Sequence, residues 1–103
     1  MPNENLDLIT IIVQYKDEKK VIDAMLKAGA PGITYYYGQG TGVRQKLGFL
    51  GRFIQAEKVV LMSAVAADKT KAVVEAVTKA AGLEKPGNGF LVVQKAEYAI
   101  GLC

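Results

Sequence analysis

Four segments typical of β-strands alternate with two segments of helical periodicity, and this order restricts the folds open to the chain. The first strand is predicted from about Leu6 to Tyr15, around a long apolar run, and the second at Ile33–Tyr37, where β-branched and aromatic residues are adjacent. A third strand is predicted from near Glu57 to Val65 and a fourth at Phe90–Val93. The tail 96–101 is compatible with a short extra strand.

Both predicted helices have a start and a stop signal. Asp17 and Asp68 are placed as N-caps, since an aspartate side chain accepts hydrogen bonds from first-turn amides. Gly29 and Gly82 are placed to end the helices in left-handed caps. The apolar stripes are Val21, Ile22, Met25, Leu26 and Ala28 in the first helix, and Ala72, Val73, Ala76, Val77 and Ala80 in the second.

The order βαββαβ, with both helices against one antiparallel sheet, predicts an α+β, ferredoxin-like fold. A long loop separates the second and third strands, and residues 1–103 are expected to form a single domain. The chain has no histidine and one cysteine, Cys103, which argues against a zinc or copper site. No apolar stretch long enough to cross a membrane and no signal-peptide pattern is present, so a cytoplasmic protein is expected.

The long loop carries cations without acids. No acidic residue occurs between Asp23 and Glu57, and the gap contains Lys27, Arg44, Lys46 and Arg52. The net charge of the whole chain is only +3, so the positive charge is concentrated here. Such a segment is suited to an anion, an acidic partner or an anionic membrane surface.

The Gly-x-Gly elements at 40–42 and 87–89 lie near the basic residues Lys46 and Lys85. Closely spaced glycines let successive backbone N–H groups point to one anion, although a tight turn explains either element alone. The glycine-rich segment that begins at Gly38 is not expected to continue a regular element. Neither glycine element matches a P-loop or a dinucleotide-binding fingerprint.

Aromatic residues do not predict nucleic-acid binding. Tyr35–Tyr37 are expected to pack against the protein on one face of a strand and to be exposed to solvent on the other. Base stacking on a sheet of this kind needs aromatics on two central strands, whereas the fourth strand offers only Phe90 and the first only Tyr15. The apolar residues beside Arg44 and Arg52 either meet a partner or pack back on the domain or another subunit.

Nearly the whole chain resembles the nitrogen regulatory P-II proteins. The matching segments are the opening strand at 8–12, the Gly-x-x-Gly-hydrophobic-Thr turn at 29–34, Gly-x-Gly-Arg-Gln-Lys at 40–46 with Val43 inserted, and the second helix at 74–81. The segment Lys-Pro-Gly-Asn-Gly at 85–89 resembles the family's Lys-Ile-Gly-Asp-Gly. The T-loop, between the second and third strands, is shorter than in typical members and lacks the tyrosine that is uridylylated in some of them.

The resemblance implies a non-enzymatic, trimeric signalling protein. Adenine nucleotide would bind in clefts between subunits, between the base of the T-loop and the B-loop around Gly87. The T-loop would dock on a transporter or enzyme, and the protein would associate with a membrane only through such a partner. Ligand-binding residues would be Thr34, Gly40, Thr41, Gly42, Gln45, Lys58, Lys85, Gly87, Asn88 and Gly89. Partner-contact residues would be Arg44, Lys46, Leu47, Phe49, Leu50, Arg52 and Phe53.

Three positions depart from the family pattern. Phe90, Gly101 and Cys103 stand where typical members have cations that hold the phosphates. Hydrogen bonds to charged groups contribute about 1.5 kcal/mol or more each, so their loss predicts much weaker binding of ATP. ADP or AMP, a small carboxylate or bicarbonate are therefore the expected effectors.

Two other functions stay open at this stage. The protein could keep the trimeric fold as a scaffold that no longer responds to a ligand, which the missing cations favour. An acylphosphatase-like enzyme would need an arginine and an asparagine around a phosphate after the first strand, and residues 14–17 do not provide them.

Overall fold

A computed structural model describes residues 2–3, 5–40 and 56–101. The strands are β1 (Pro2–Asn3), β2 (Leu6–Gln14), β3 (Thr34–Gly40), β4 (Ala56–Ala66), β5 (Gly89–Ala96) and β6 (Ala99–Ile100). The helices are α1 (Glu18–Ala28), which follows a 3-10 turn at Tyr15–Asp17, and α2 (Ala67–Ala81). The main sheet is antiparallel with the order β3-β4-β2-β5, while β1 pairs with β6. The predicted βαββαβ, ferredoxin-like order is confirmed.

The core lies between one face of the sheet and both helices. Alternate residues of the two central strands point to this side, as at Ile11, which is directly opposite Leu61. Full burial of such a side chain stabilises the fold by roughly 1.5–3 kcal/mol. The fully buried side chains are Ile9, Ile11, Val13, Val21, Met25, Val59, Leu61, Val65, Val73 and Val77.

The opposite face of the sheet is also largely apolar, and neither helix packs on it. We call it the open face. Three of its side chains are well exposed: Tyr36 at 53%, Phe90 at 54% and Val92 at 40%. The strand register places on it Leu8, Thr10, Ile12, Tyr36, Val60, Met62, Ala64, Phe90 and Val92. A contiguous apolar surface of this kind marks an interaction site.

The helix starts differ from the sequence prediction. Asp17 precedes α1 as predicted, but its side chain makes no capping hydrogen bond; it is buried and pairs with Lys20 at 3.1 Å. The N-cap of α2 is Ala66, so Asp68 lies in the first turn instead of at the cap. Because Ala67 N–H already donates to the carbonyl of Asn5 at 2.9 Å, α2 can begin directly at the end of β4. Gly29 and Gly82 end the helices in left-handed conformations, as predicted.

Several other local predictions were wrong. The glycine-rich segment does continue a regular element, since β3 runs through Gly38 to Gly40 and pairs with β4. An edge strand tolerates glycine here because it pairs along one side only. Leu26 and Ala72, expected in the apolar stripes, are exposed. Tyr35–Tyr37 alternate between the two faces, but all three stay about half exposed, because β3 lies at the edge of the sheet.

Neither α1 nor α2, the helices of the described residues, is long and apolar enough to span a bilayer.

Candidate functional site

The first candidate region is a row of residues at one end of the open face. Gln14, Lys58 and Gly38 lie side by side in register across β2, β4 and β3. The side chain of Lys58 lies along Gly40, with Cγ 3.5 Å from the position that a Cβ on this glycine would occupy. Neither ion pair found within the described ranges includes Lys58. Its ammonium group is therefore available to an anion at the base of the T-loop. We call this set the Lys58 row.

The B-loop, residues 82–88, joins the same end of the sheet. Gln14 Nε2 donates to the carbonyl oxygen of Gly87 at 3.0 Å, which fixes the loop against β2. Gly89 has φ +133°, and a Cβ on it would overlap the carbonyl oxygen of Ile12. Only glycine lets the start of β5 approach β2 this closely. Gln14 was not predicted as a site residue; the available signal was a polar residue at the end of a largely apolar strand.

Asn88 has its side chain engaged within the loop. Its Nδ2 donates to the carbonyl oxygen of Gly82 at 2.9 Å, and its backbone N–H points to the carbonyl of Lys85 at 3.4 Å. These bonds close the end of α2 and shape the turn. The predicted ligand contact of Asn88 would therefore have to replace a bond that the loop already makes. Lys85 is exposed, so its side chain is free to reach outward.

The second candidate region is a pocket beside Thr34. We call it the Thr34 pocket; its volume is about 240 Å³. Ser63 Oγ donates to the carbonyl oxygen of Gly32 at 2.6 Å, and this bond holds the turn that forms one wall. The lining is Leu8, Pro31, Gly32, Thr34, Met62, Ser63, Ala64 and Gly101. A mostly apolar cavity with a few backbone polar groups suits a flat group such as a nucleobase. Met62 and Ser63 were not predicted as site residues.

The two regions do not meet within one chain. Thr34 lies on β3, at one edge of the sheet, whereas Gly89 begins β5 at the other edge. Three strand spacings separate these edges, which corresponds to about 14 Å. The fold brings Gly38, Gly40, Lys58 and the B-loop to one end of the sheet, and it leaves the pocket of Thr34 apart from the glycines of the B-loop.

Comparison with known proteins identifies the family of this chain. A family model described as nitrogen regulatory protein P-II matches residues 6–100. The chain belongs to the P-II family. The resemblance found in the sequence is thereby confirmed. P-II proteins are regulatory signalling proteins, typically trimeric, that bind small effectors and partner proteins.

A solved structure supports the fold of this P-II protein. The crystal structure of Arabidopsis thaliana PII bound to citrate is similar with a TM-score of 0.69 at 21% sequence identity. The similarity covers 91% of this chain and 79% of the Arabidopsis chain. A comparison with curated proteins finds no significant match.

Two of the three departures from the family pattern, Gly101 and Phe90, lie among the described residues of this P-II protein. Gly101 lines the Thr34 pocket with φ +85°, and a Cβ on it would have no atom within 4 Å. At Gly101 the wall of the pocket therefore has space for a side chain but carries none. Phe90 lies on the open face opposite Ile12. No lysine or arginine is among the described residues that line the pocket.

Some predicted residues lie outside the described ranges. These are Thr41, Gly42, Gln45, Arg44, Lys46, Leu47, Phe49, Leu50, Arg52, Phe53 and Cys103. Within the ranges that are described, no group of three or more histidine, cysteine, aspartate or glutamate residues is placed to hold a metal ion.

Proposed function

We propose that this protein is a homotrimeric P-II signalling protein that senses a small anionic ligand in clefts between its protomers. Each cleft combines the Thr34 pocket of one protomer with the Lys58 row and B-loop of the next. Occupancy of the cleft controls how the T-loop engages a partner transporter or enzyme. The observation that carries this proposal is that Thr34 and the glycines around the B-loop, Gly87 and Gly89, lie at opposite edges of one sheet.

Opposite edges come together when protomers are arranged in a ring. An edge that bears the pocket of Thr34 then faces an edge that bears Gly87 and Gly89. The pocket provides an apolar wall, and the Lys58 row provides a cation. A nucleotide needs both, since its base is flat and its phosphates are anionic.

The open face supplies the driving force for assembly. Its aliphatic and aromatic side chains include Phe90 and Val92 on β5 and Tyr36 on β3, which water contacts in the isolated chain. Burial of this surface stabilises a trimer by about 25 cal/mol for each Å² of apolar area removed from water. Phe90 gains a role in this arrangement, because a lysine at its place would oppose burial of the face.

The absence of cations at Phe90 and Gly101 narrows the effector class. A triphosphate would meet fewer charge-assisted hydrogen bonds than in typical family members, so ADP, AMP, bicarbonate or a small carboxylate is favoured over ATP. The Arabidopsis thaliana PII in the comparison structure is bound to citrate, which supports including carboxylates. Lys58 is the residue proposed to bind the anionic group.

Calorimetric titration of the native protein with ADP, AMP, ATP, bicarbonate and citrate tests the effector. Replacing Lys58 with methionine keeps the length of the side chain and removes its charge. We expect at least one of these ligands to bind the native protein, and the variant to bind it about 10-fold or more weakly, since a charge-assisted bond contributes about 1.5–3 kcal/mol.

Lys71→Met is the matched control, because Lys71 is an exposed residue of α2 outside both regions. It removes the same charge and should leave the affinity unchanged. Equally weakened ligand binding in both variants would mean that the effect comes from the net charge of the protein and not from a contact with Lys58. An unaltered affinity in Lys58→Met would remove this lysine from the site.

A ligand-insensitive scaffold is the second candidate function. The uncharged wall at Gly101 favours it, since a pocket without a cation holds phosphate poorly. Partner capture from a lysate distinguishes the two functions. A scaffold captures the same partners with and without added ADP or citrate, whereas a sensor changes the amount captured.

A further inference from the structure

A cluster of three tyrosines lies on the helix side of the β3 edge, on the face of the sheet opposite to Lys58. The rings of Tyr15 and Tyr37 are 5.4 Å apart at an angle of 68°, and those of Tyr35 and Tyr37 are 6.1 Å apart at 73°. Tyr15 and Tyr37 are each about half exposed. Together with Gly38, Gln39 and Glu57 they line an open cavity of about 460 Å³.

Nearly perpendicular aromatic rings with a carboxylate at the rim have the chemistry of a cation site. The faces of tyrosine rings are electron-rich and attract a guanidinium or ammonium group. Glu57 adds a negative charge at the rim. No lysine or arginine is among the described residues that line the cavity. Lys16, which follows Tyr15, pairs with Asp17, and Lys58, which follows Glu57, lies on the opposite face of the sheet.

A second carboxylate supports the cluster from beneath. Hydrogen bonding to the neighbouring Glu18 carboxylate, with a smaller effect of burial, raises the pKa of Tyr37 to about 12. Tyr37 therefore stays a neutral donor, oriented by α1, at every physiological pH. Glu18 Oε1 is buried and has no hydrogen-bond partner within the described residues. The carboxylate thus retains capacity to accept a further donor.

The geometry points to a binding site for an arginine side chain of a partner protein in the cavity between Tyr15, Tyr37 and Glu57. Arginine suits it better than lysine, because a planar guanidinium both stacks on aromatic rings and meets a carboxylate with two parallel hydrogen bonds. A free amino acid suits it less, since its α-carboxylate would find no cation among the lining residues. Tyr37 lies on β3, the strand that enters the T-loop, and Glu57 lies on β4, the strand that leaves it, so a bound arginine would sit at the base of the loop.

This site is independent of the proposed effector cleft. The side chains of Tyr37 and Glu57 point to the helix side of the sheet, whereas that of Lys58 points to the open face. Gly38, which has no side chain, is the one residue common to both regions. Failure of one site in an experiment therefore leaves the other untouched.

The test uses N-acetyl-arginine methylamide as the probe and the citrulline analogue, a neutral isostere, as its control. Binding to the native protein is followed by the shifts of ¹³C-labelled tyrosine rings in NMR spectra. We expect saturable shifts at Tyr15 and Tyr37 with the arginine compound, at millimolar concentrations, and none with the citrulline compound. Equal shifts with both compounds, or no shift up to tens of millimolar, would overturn the inference.

Two variants test the walls of the cavity. Tyr37→Leu should weaken binding about 10-fold, the effect of losing an aromatic face and its hydrogen bond, and Glu57→Gln should weaken it a few-fold by removing the rim charge. Tyr98→Leu is the control, because Tyr98 is an exposed tyrosine outside this cavity. If both Tyr37→Leu and Glu57→Gln bind the arginine compound with native affinity, the proposed site is contradicted. Because Glu57→Gln changes only a surface residue, this variant still tests the site if Tyr37→Leu does not fold.

Discussion

Replacing Gly89 with alanine is expected to destabilise the protein by about 3 kcal/mol or more, since it combines a strained backbone with an overlap in a packed region. The added Cβ would overlap the carbonyl oxygen of Ile12 and lie 3.1 Å from Cα of Val13. Both neighbours belong to the backbone of the central strand β2, which cannot shift without disturbing its ladders with β4 and β5. Urea unfolding followed by circular dichroism measures the change.

Gly38→Ala is the matched control for this experiment. Gly38 also lies in a strand of the same sheet, but a Cβ on it would have no atom within 4 Å, and its φ is not positive. Its unfolding free energy should change by no more than about 0.5 kcal/mol. Equal effects of the two substitutions would mean that the close approach of Gly89 to Ile12 does not limit stability.

Replacing Val60 with aspartate is expected to dissociate the trimer. Val60 lies near the middle of the open face, opposite Tyr36 and Ile12. Burying an unpaired carboxylate in a protein interface costs several kcal/mol, so the dissociation constant should rise by about 1,000-fold or more. Sedimentation velocity at micromolar concentration should show a trimer for the native chain and an 11.0 kDa species for the variant.

Ala72→Asp introduces the same charge on α2, at an exposed position on the helix side of the sheet. This control should remain trimeric. A native protein that sediments as a monomer, or a Val60→Asp protein that stays trimeric, would contradict assembly through the open face. Circular dichroism of the variant separates dissociation from unfolding.

The sequence predicted the element order well because its periodicities are clear. The apolar run of β2 and the spacing of Val73 and Val77 in α2 are local patterns, which can be read without knowing the tertiary structure. Helix starts were harder, since tertiary contacts decided them. Ala67 finds a backbone partner in Asn5, and the buried Asp17 carboxylate pairs with Lys16 and Lys20 instead of capping the helix, neither of which a pattern of capping residues contains.

The candidate site was predictable only in part. The paired glycines were predicted as ligand contacts from their spacing and Lys58 from the family resemblance, and the structure brings Lys58, Gly40 and the B-loop to one end of the sheet. The contacts of Gln14 with Gly87 and of Ser63 with Gly32 join residues far apart in the chain, so periodicity could not reveal them. The tyrosine cavity was missed for the same reason, because Tyr15 and Tyr37 meet only after β2 and β3 are placed.

The central claim is that each effector site is shared between two protomers, and complementation tests it directly. Thr34→Trp fills the pocket of Thr34, while Lys58→Met removes the cation from the Lys58 row. Each variant alone should bind the effector identified by calorimetry too weakly to detect at the chosen concentration. The two chains, produced together with different affinity tags, can be purified as mixed trimers.

Every chain of such a mixed trimer carries one defect. If the cleft is shared, however, one site is intact: the site where the Thr34 pocket of a Lys58→Met chain faces the Lys58 row of a Thr34→Trp chain. Isothermal titration of the mixed trimers is the decisive measurement. The account predicts that one site per trimer recovers native affinity. Mixed trimers that bind no better than either variant alone would show that each site lies within a single chain, and would contradict the account.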